Sequence, residues 1–98
     1  MPRIVNPLDE MLFKEVLKEQ QRIRVYLERA RYGKLKTIIE GIDEKEFDLE
    51  DIAKKLKAKL ACGGTVKKGR IELQGDHRDR IKKLLADLGF SEELIEVE

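Results

Sequence analysis

The 98-residue chain has one cysteine, one histidine and no apolar run near the length of about 18 residues that reads as a membrane helix. A lone Cys62 closes no internal disulfide, so a core must hold the fold, and a reducing, cytoplasmic compartment fits. The opening MPRIVNPLDE lacks the apolar stretch of a signal peptide, so nothing in it directs export. One cysteine and one histidine fall short of the three or four ligands of a zinc site, so neither a metal nor another cofactor is expected. Cys62 and His77 lack a third, orienting partner in the sequence. Cys62 reads as packing at a helix end and His77 as a surface contact. GTVKKG carries two glycines but neither the GK[ST] ending nor the following helix of a phosphate-binding loop. No residue is assigned to catalysis.

What the chain has in quantity is charge. Charged residues make up 42% and hydrophobic residues 41%. With clear periodicity, that balance reads as one folded domain with a heavily ion-paired surface rather than as disorder. A domain of this size buries roughly two-thirds of its unfolded surface. The net charge of +1 hides a segregation by sign. Residues 22–36 carry six bases against Glu28 alone, and residues 54–83 carry eleven against Glu72, Asp76 and Asp79. Residues 40–51 hold seven acids against Lys45, and residues 87–98 hold five acids and no base. A basic working surface and an acidic back follow.

NPLDE reads as a helix opening, with Asn6 as cap and Pro7 at the first helical position. Residues 1–21 are expected to be an extension, helical or mobile, ahead of an α/β domain at 22–98. RIRVYLE alternates, with Ile23, Val25 and Leu27 on one face and Arg22, Arg24 and Tyr26 on the other, as a half-buried strand does. KLKTIIEGI returns as its hairpin partner. Asp48 caps a helix whose Leu49, Ile52, Ala53, Leu56 and Leu60 face a core. Gly63 of CGG is placed to end that helix in the left-handed conformation. TVKKGRIEL gives two short strands around a Lys68-Gly69 turn. Asp76 is read as cap of a second helix with Ile81, Leu84, Leu85 and Leu88 inward. Gly89 stops it, with Phe90 packed behind, and ELIEV forms a last strand. The order ββαββαβ, with one apolar stripe per helix, gives an α+β two-layer sandwich of ferredoxin-like kind. Two helices should lie on one face of a mixed five-stranded sheet.

The stretch ERARYGKLK sets Arg29, Arg31, Lys34 and Lys36 around Tyr32 and Gly33, more cations than a turn needs. Cations at a hairpin tip can meet phosphates, and a tyrosine beside them can stack on a base. The Lys54–Lys59 run of the first helix, near in sequence to Lys67, Lys68, Arg70, Arg78, Arg80, Lys82 and Lys83, extends the basic character. The helix opening at Asp76, His77 and Arg78 adds backbone N–H groups that can hold phosphate. These residues point to RNA.

GKLKTIIEGI, FDLEDIAKKLKAKLACGGTV and IELQGDHRDRIKKLL resemble the core of translation initiation factor 1 of archaea and eukaryotes. The run ACGGTV…GRIELQGDHR carries most of the likeness, which spans about residues 22–97. The resemblance implies a factor that binds the small ribosomal subunit through its rRNA near the P site. Initiator tRNA, mRNA and other initiation factors lie nearby, and no membrane is involved. Such a factor, a monomer and not an enzyme, opposes initiator tRNA pairing at wrong codons. The family's basic loop falls on Arg29, Arg31, Tyr32, Gly33, Lys34 and Lys36. Its other subunit-facing positions fall on Lys55, Lys59, Asp76, His77 and Arg78. Many archaeal members carry a cysteine-rich, zinc-binding N-terminal segment, which MPRIVNPLDEMLFKEV does not match. Two other functions compete: an RNA-binding domain outside initiation, and a protein-interaction module that uses acidic segments 40–51 and 87–98.

Overall fold

The computed structural model describes residues 22–98. The helix opening read at NPLDE and the rest of the 1–21 extension lie outside them. Strands β1 (Ile23–Arg29) and β2 (Leu35–Glu40) form the expected hairpin, in register from Arg24 opposite Glu40 to Arg29 opposite Leu35. Ile23 and Val25 are buried as their alternation demands, whereas Leu27 is half-buried.

Helix α1 (Leu49–Leu60) opens on Asp48, whose carboxylate accepts the Glu50 and Asp51 amides at 3.1 and 3.3 Å. A cap of this kind contributes about 1 kcal/mol. Its five core positions, from Leu49 to Leu60, are all buried. The left-handed stop expected at Gly63 falls instead on Ala61, at φ 51° and ψ 45°, and the Cys62 amide donates to the Lys57 carbonyl. That closure satisfies the Lys57 carbonyl without a glycine. The two glycines serve packing between β3 (Gly64–Lys67) and β4 (Arg70–Gln74). A Cβ on Gly64 would stand 2.5 Å from the Glu72 carbonyl oxygen, and one on Gly63 2.8 Å from the Gln74 side-chain oxygen. Lys68 and Gly69 both take positive φ, at 53° and 73°, as a two-residue hairpin turn requires.

Helix α2 (Arg78–Asp87) begins one residue later than an Asp76 cap implies. His77 occupies the cap position, and its carbonyl accepts the Arg80 and Ile81 amides. Asp76 lies outside the helix and holds the Arg78 amide from there. Gly89 ends α2 at φ 103°, and Phe90 packs on Phe47 with ring centroids 5.0 Å apart. A 3₁₀ turn at Glu92–Leu94 leads into β5 (Ile95–Val97), which pairs parallel with β1.

The strand order is β3-β4-β2-β1-β5, antiparallel except for β1 and β5. By those pairings β2 and β3 run the same way with β4 between them. Strands β4 and β5 also run the same way, with β2 and β1 between them. A helix joins each split pair, which is the ferredoxin-like arrangement. Helix α1 packs on β3 and β4, and α2 on β1 and β5. Their stripes bury Leu56, Ile81 and Leu85 against Val25, Ile39, Ile71 and Leu73. The sequence order ββαββαβ and the two helices on one face of a mixed sheet are borne out.

Among the described residues no helix lies over the other face of the sheet. Register places Tyr26, Ile38 and Glu72 side by side across it. Ile38 is 0% exposed although it stands outside the main core. Polar side chains flank it. Tyr26 donates its hydroxyl to Glu40 at 3.0 Å and accepts from Arg70 at 3.0 Å, and Arg70 also reaches Glu72 and Glu28. Arg24 lies over the Tyr26 ring and pairs with Glu40 and Glu98. This face is a neutralised ladder.

Candidate nucleic-acid interface

Between β1 and β2 the chain turns through a single 3₁₀ turn at Arg31–Gly33. The Ala30 amide donates to the Lys34 carbonyl at 2.6 Å, which closes the loop. Tyr32 and Gly33 are both left-handed, at φ 63° and 73°. A Cβ on Gly33 would meet nothing within 4 Å, so the glycine answers the backbone angle and not space. Tyr32 has no such exemption. A non-glycine residue in this conformation is strained by about 1–2 kcal/mol, and Tyr32 is 96% exposed, so no burial offsets the strain. Strain of this kind concentrates at functional sites.

Arg29, Arg31 and Lys34 are exposed and form no ion pair among the described residues. Glu28, the one acid in the stretch, turns to Arg70 on the sheet face at 3.6 Å and leaves the tip positive. Lys36, the second residue of β2, differs. Its ammonium sits 3.1 Å from the Glu72 carboxylate, which is 7% exposed and is held below the usual carboxylate range mainly by that hydrogen bond.

Sequence-distant residues meet at this end of the sheet. Gly75, at φ 99°, donates its amide to the Leu35 carbonyl at 2.8 Å. The buried Thr37 hydroxyl donates to the Gly75 carbonyl at 2.7 Å and accepts the His77 amide at 2.9 Å. The His77 ring donates through Nε2 to the Gln74 carbonyl at 2.6 Å. Asp76 and Arg78 pair through two contacts of 3.0 Å, which hold the Asp76 carboxyl below its ordinary range. Arg78 also donates to the backbone oxygen of Glu98. The C-terminal end of α1 arrives beside them, because the Gly63 carbonyl accepts the Gln74 amide at 2.9 Å. That brings Lys59, exposed and unpaired among the described residues, to the same end, whereas Lys55 is bonded to Asp51 at 3.0 Å. Between the hairpin base and the Gln74 turn lies a cleft of about 310 Å³ lined by Ala30, Lys34, Leu35, Lys36, Gln74 and Gly75.

Lys67, Lys68 and Arg70 stand at the opposite end of β4. Four strand steps of about 3.4 Å put them roughly 14 Å from the Gln74 turn. Lys67 and Lys68 are exposed there, while Arg70 belongs to the ladder. The fourteen residues picked from sequence therefore divide into an unpaired basic tip with its supporting loop, a separate lysine turn, and cations already bound to acids. Thr37 and Gln74 were missed. A threonine among the inward apolar residues of KLKTIIE was the available signal for the first. Among the described residues no His/Cys/Asp/Glu group could hold a metal ion, and no helix is long and apolar enough to cross a membrane.

The family described as "Translation initiation factor SUI1" matches residues 19–91. A "Protein translation factor SUI1 homolog" of Thermococcus gammatolerans is 99% identical over the full length of both chains. The protein of the same description in Pyrococcus furiosus is 93% identical, also over both full lengths. That of Methanosphaera stadtmanae is 52% identical over 93% of this chain and 90% of its own. The chain thus belongs to the SUI1 family of translation initiation factors, and its role lies in translation initiation.

Proposed function

We propose that the chain binds the small ribosomal subunit near the P site and promotes accurate start-codon selection by opposing initiator tRNA pairing at wrong codons. One observation carries the RNA-facing part. Arg29, Arg31 and Lys34 form no ion pair among the described residues, beside a Tyr32 held strained and 96% exposed. Free cations gain affinity for a polyanion by counterion release. The paired cations of the sheet face have no such charge to offer. Tyr32 offers a base a stacking surface. Lys59, His77 and the Asp76–Arg78 pair add contacts at the same end of the sheet as the tip, and Lys67 and Lys68 reach a second stretch of rRNA. Charge and bulk at the tip make a poorly paired initiator tRNA harder to seat than a well-paired one.

Co-sedimentation with purified small and large subunits, with and without initiator tRNA, tests this reading. Binding to the small subunit that weakens steeply with salt supports it. Binding to the large subunit alone contradicts it, and binding insensitive to salt points to a protein contact through the acidic segments.

A further inference from the structure

The tip accounts for phosphates and one stacked base, and leaves the cleft beneath it without a role. At about 310 Å³ that cleft is at the lower end for small-ligand sites. Its lining is mixed. Ala30 and Leu35 give it an apolar floor. The Gln74 carboxamide lies against Gly63, is exposed, and makes no hydrogen bond among the described residues, so it has a donor and an acceptor to offer. Lys34, which forms no ion pair among the described residues, and Lys36, tied to Glu72, both stand on the hairpin side.

The two walls are joined by the Gly75–Leu35 and Thr37–Gly75 hydrogen bonds, so the cleft is formed before any ligand arrives. An apolar floor, an unsatisfied amide and a cation at the rim match the face, edge and phosphate of one splayed-out nucleotide. We propose that this cleft takes a single unstacked nucleotide of a single-stranded RNA segment, with the adjoining phosphates on Arg29, Arg31 and Lys34. The inference rests on the RNA-facing role of the tip. The source is a strand and not a free nucleotide, because the cleft is open and Arg29 and Arg31 of the tip do not line it.

The test is fluorescence anisotropy of a labelled single-stranded RNA decamer on the full chain. A duplex of the same sequence and free mononucleotides serve as competitors. Ala30→Phe fills the cleft and leaves every charge in place. It should weaken decamer binding about tenfold, the order of one lost base contact, with the salt slope unchanged. Gln74→Ala should weaken it about three- to tenfold, as one lost hydrogen bond does. Arg29→Ala with Arg31→Ala should instead lower the salt slope by about 1.4. Wild-type binding by both cleft variants, alongside a weakened arginine variant, overturns the cleft and leaves the tip's role standing. Wild-type binding by all of them overturns both. A duplex that competes as well as the single strand, or mononucleotides that compete at micromolar concentration, also refutes the proposal. Should Ala30→Phe fail to fold, Gln74→Ala decides, with amide NMR shifts at Leu35 and Gly75 on adding decamer to the wild type. Unmoved Leu35 and Gly75 resonances would contradict the proposal.

Discussion

Thr37 and His77, forty positions apart, are joined by a 2.9 Å hydrogen bond from the His77 amide to the Thr37 hydroxyl. The same hydroxyl donates to the Gly75 carbonyl, so one buried side chain ties the hairpin to the loop that opens α2. Thr37→Val keeps the shape and removes both bonds. It should destabilise the fold by about 1–3 kcal/mol, since it orphans a backbone donor and acceptor. Urea unfolding measures the loss. The gap between hairpin and loop should also widen, seen as altered amide shifts at Leu35, Gly75 and His77.

Glu72 makes stability depend on pH. The Lys36 hydrogen bond, the largest influence, holds its carboxyl below the unfolded value of 4.5. A lowered folded value adds stability that is fully present above about pH 4.5 and is lost as pH falls through the folded value. Glu72→Gln should therefore destabilise the chain by about 1–3 kcal/mol near neutrality. The gap to wild type should shrink below pH 4.5 in thermal melts. A gap that stays constant down to pH 2 refutes the pairing.

Tyr32 separates stability from binding. In Tyr32→Gly, relief of the left-handed strain and the added freedom of the unfolded chain are of similar size and opposite sign. Stability should change by no more than about 0.5 kcal/mol, because the ring is 96% exposed and packs on nothing. Affinity for small subunits should nevertheless fall, by about 1–3 kcal/mol if a base lies on the ring. Calorimetry and sedimentation read the two effects separately.

Cys62 packs partly buried beside the core, and burial pushes its thiol up. Such a thiol is a poor nucleophile. Cys62→Ala should change stability by no more than about 1–2 kcal/mol and leave ribosome binding intact. Alkylation of the native chain should be slower than that of a free cysteine.

Period-2 alternation exposed β1 in the sequence, and the 3.6-residue stripe exposed α1, because each pattern is written in side chains that meet one core. Asp48 and the Lys68-Gly69 turn were equally plain, since local chemistry decides them. The stop at Ala61 was not. The glycines that looked like its cause are required by the close approach of Gly64 to the Glu72 carbonyl oxygen, which only the folded sheet creates. The charges were the hardest to read. Lys36 and Lys34 are near neighbours in the chain, yet β2 turns Lys36 onto the ladder beside Glu72 while Lys34 stays on the loop. Which cations remain free is a property of strand register, and register is long-range.

The central claim is that the unpaired tip cations meet RNA. Arg29→Ala, Arg31→Ala and Lys34→Ala together remove three charges that form no ion pair among the described residues, so the melting temperature should stay close to wild type. The decisive measurement is the affinity of this triple variant for small ribosomal subunits across a range of salt. Three lost phosphate contacts at about 0.7 each lower the slope of log affinity against log salt by about 2, and initiation at near-start codons should rise. A folded variant that binds with the wild-type slope and keeps start-site accuracy would make the tip a solvated turn and contradict the account.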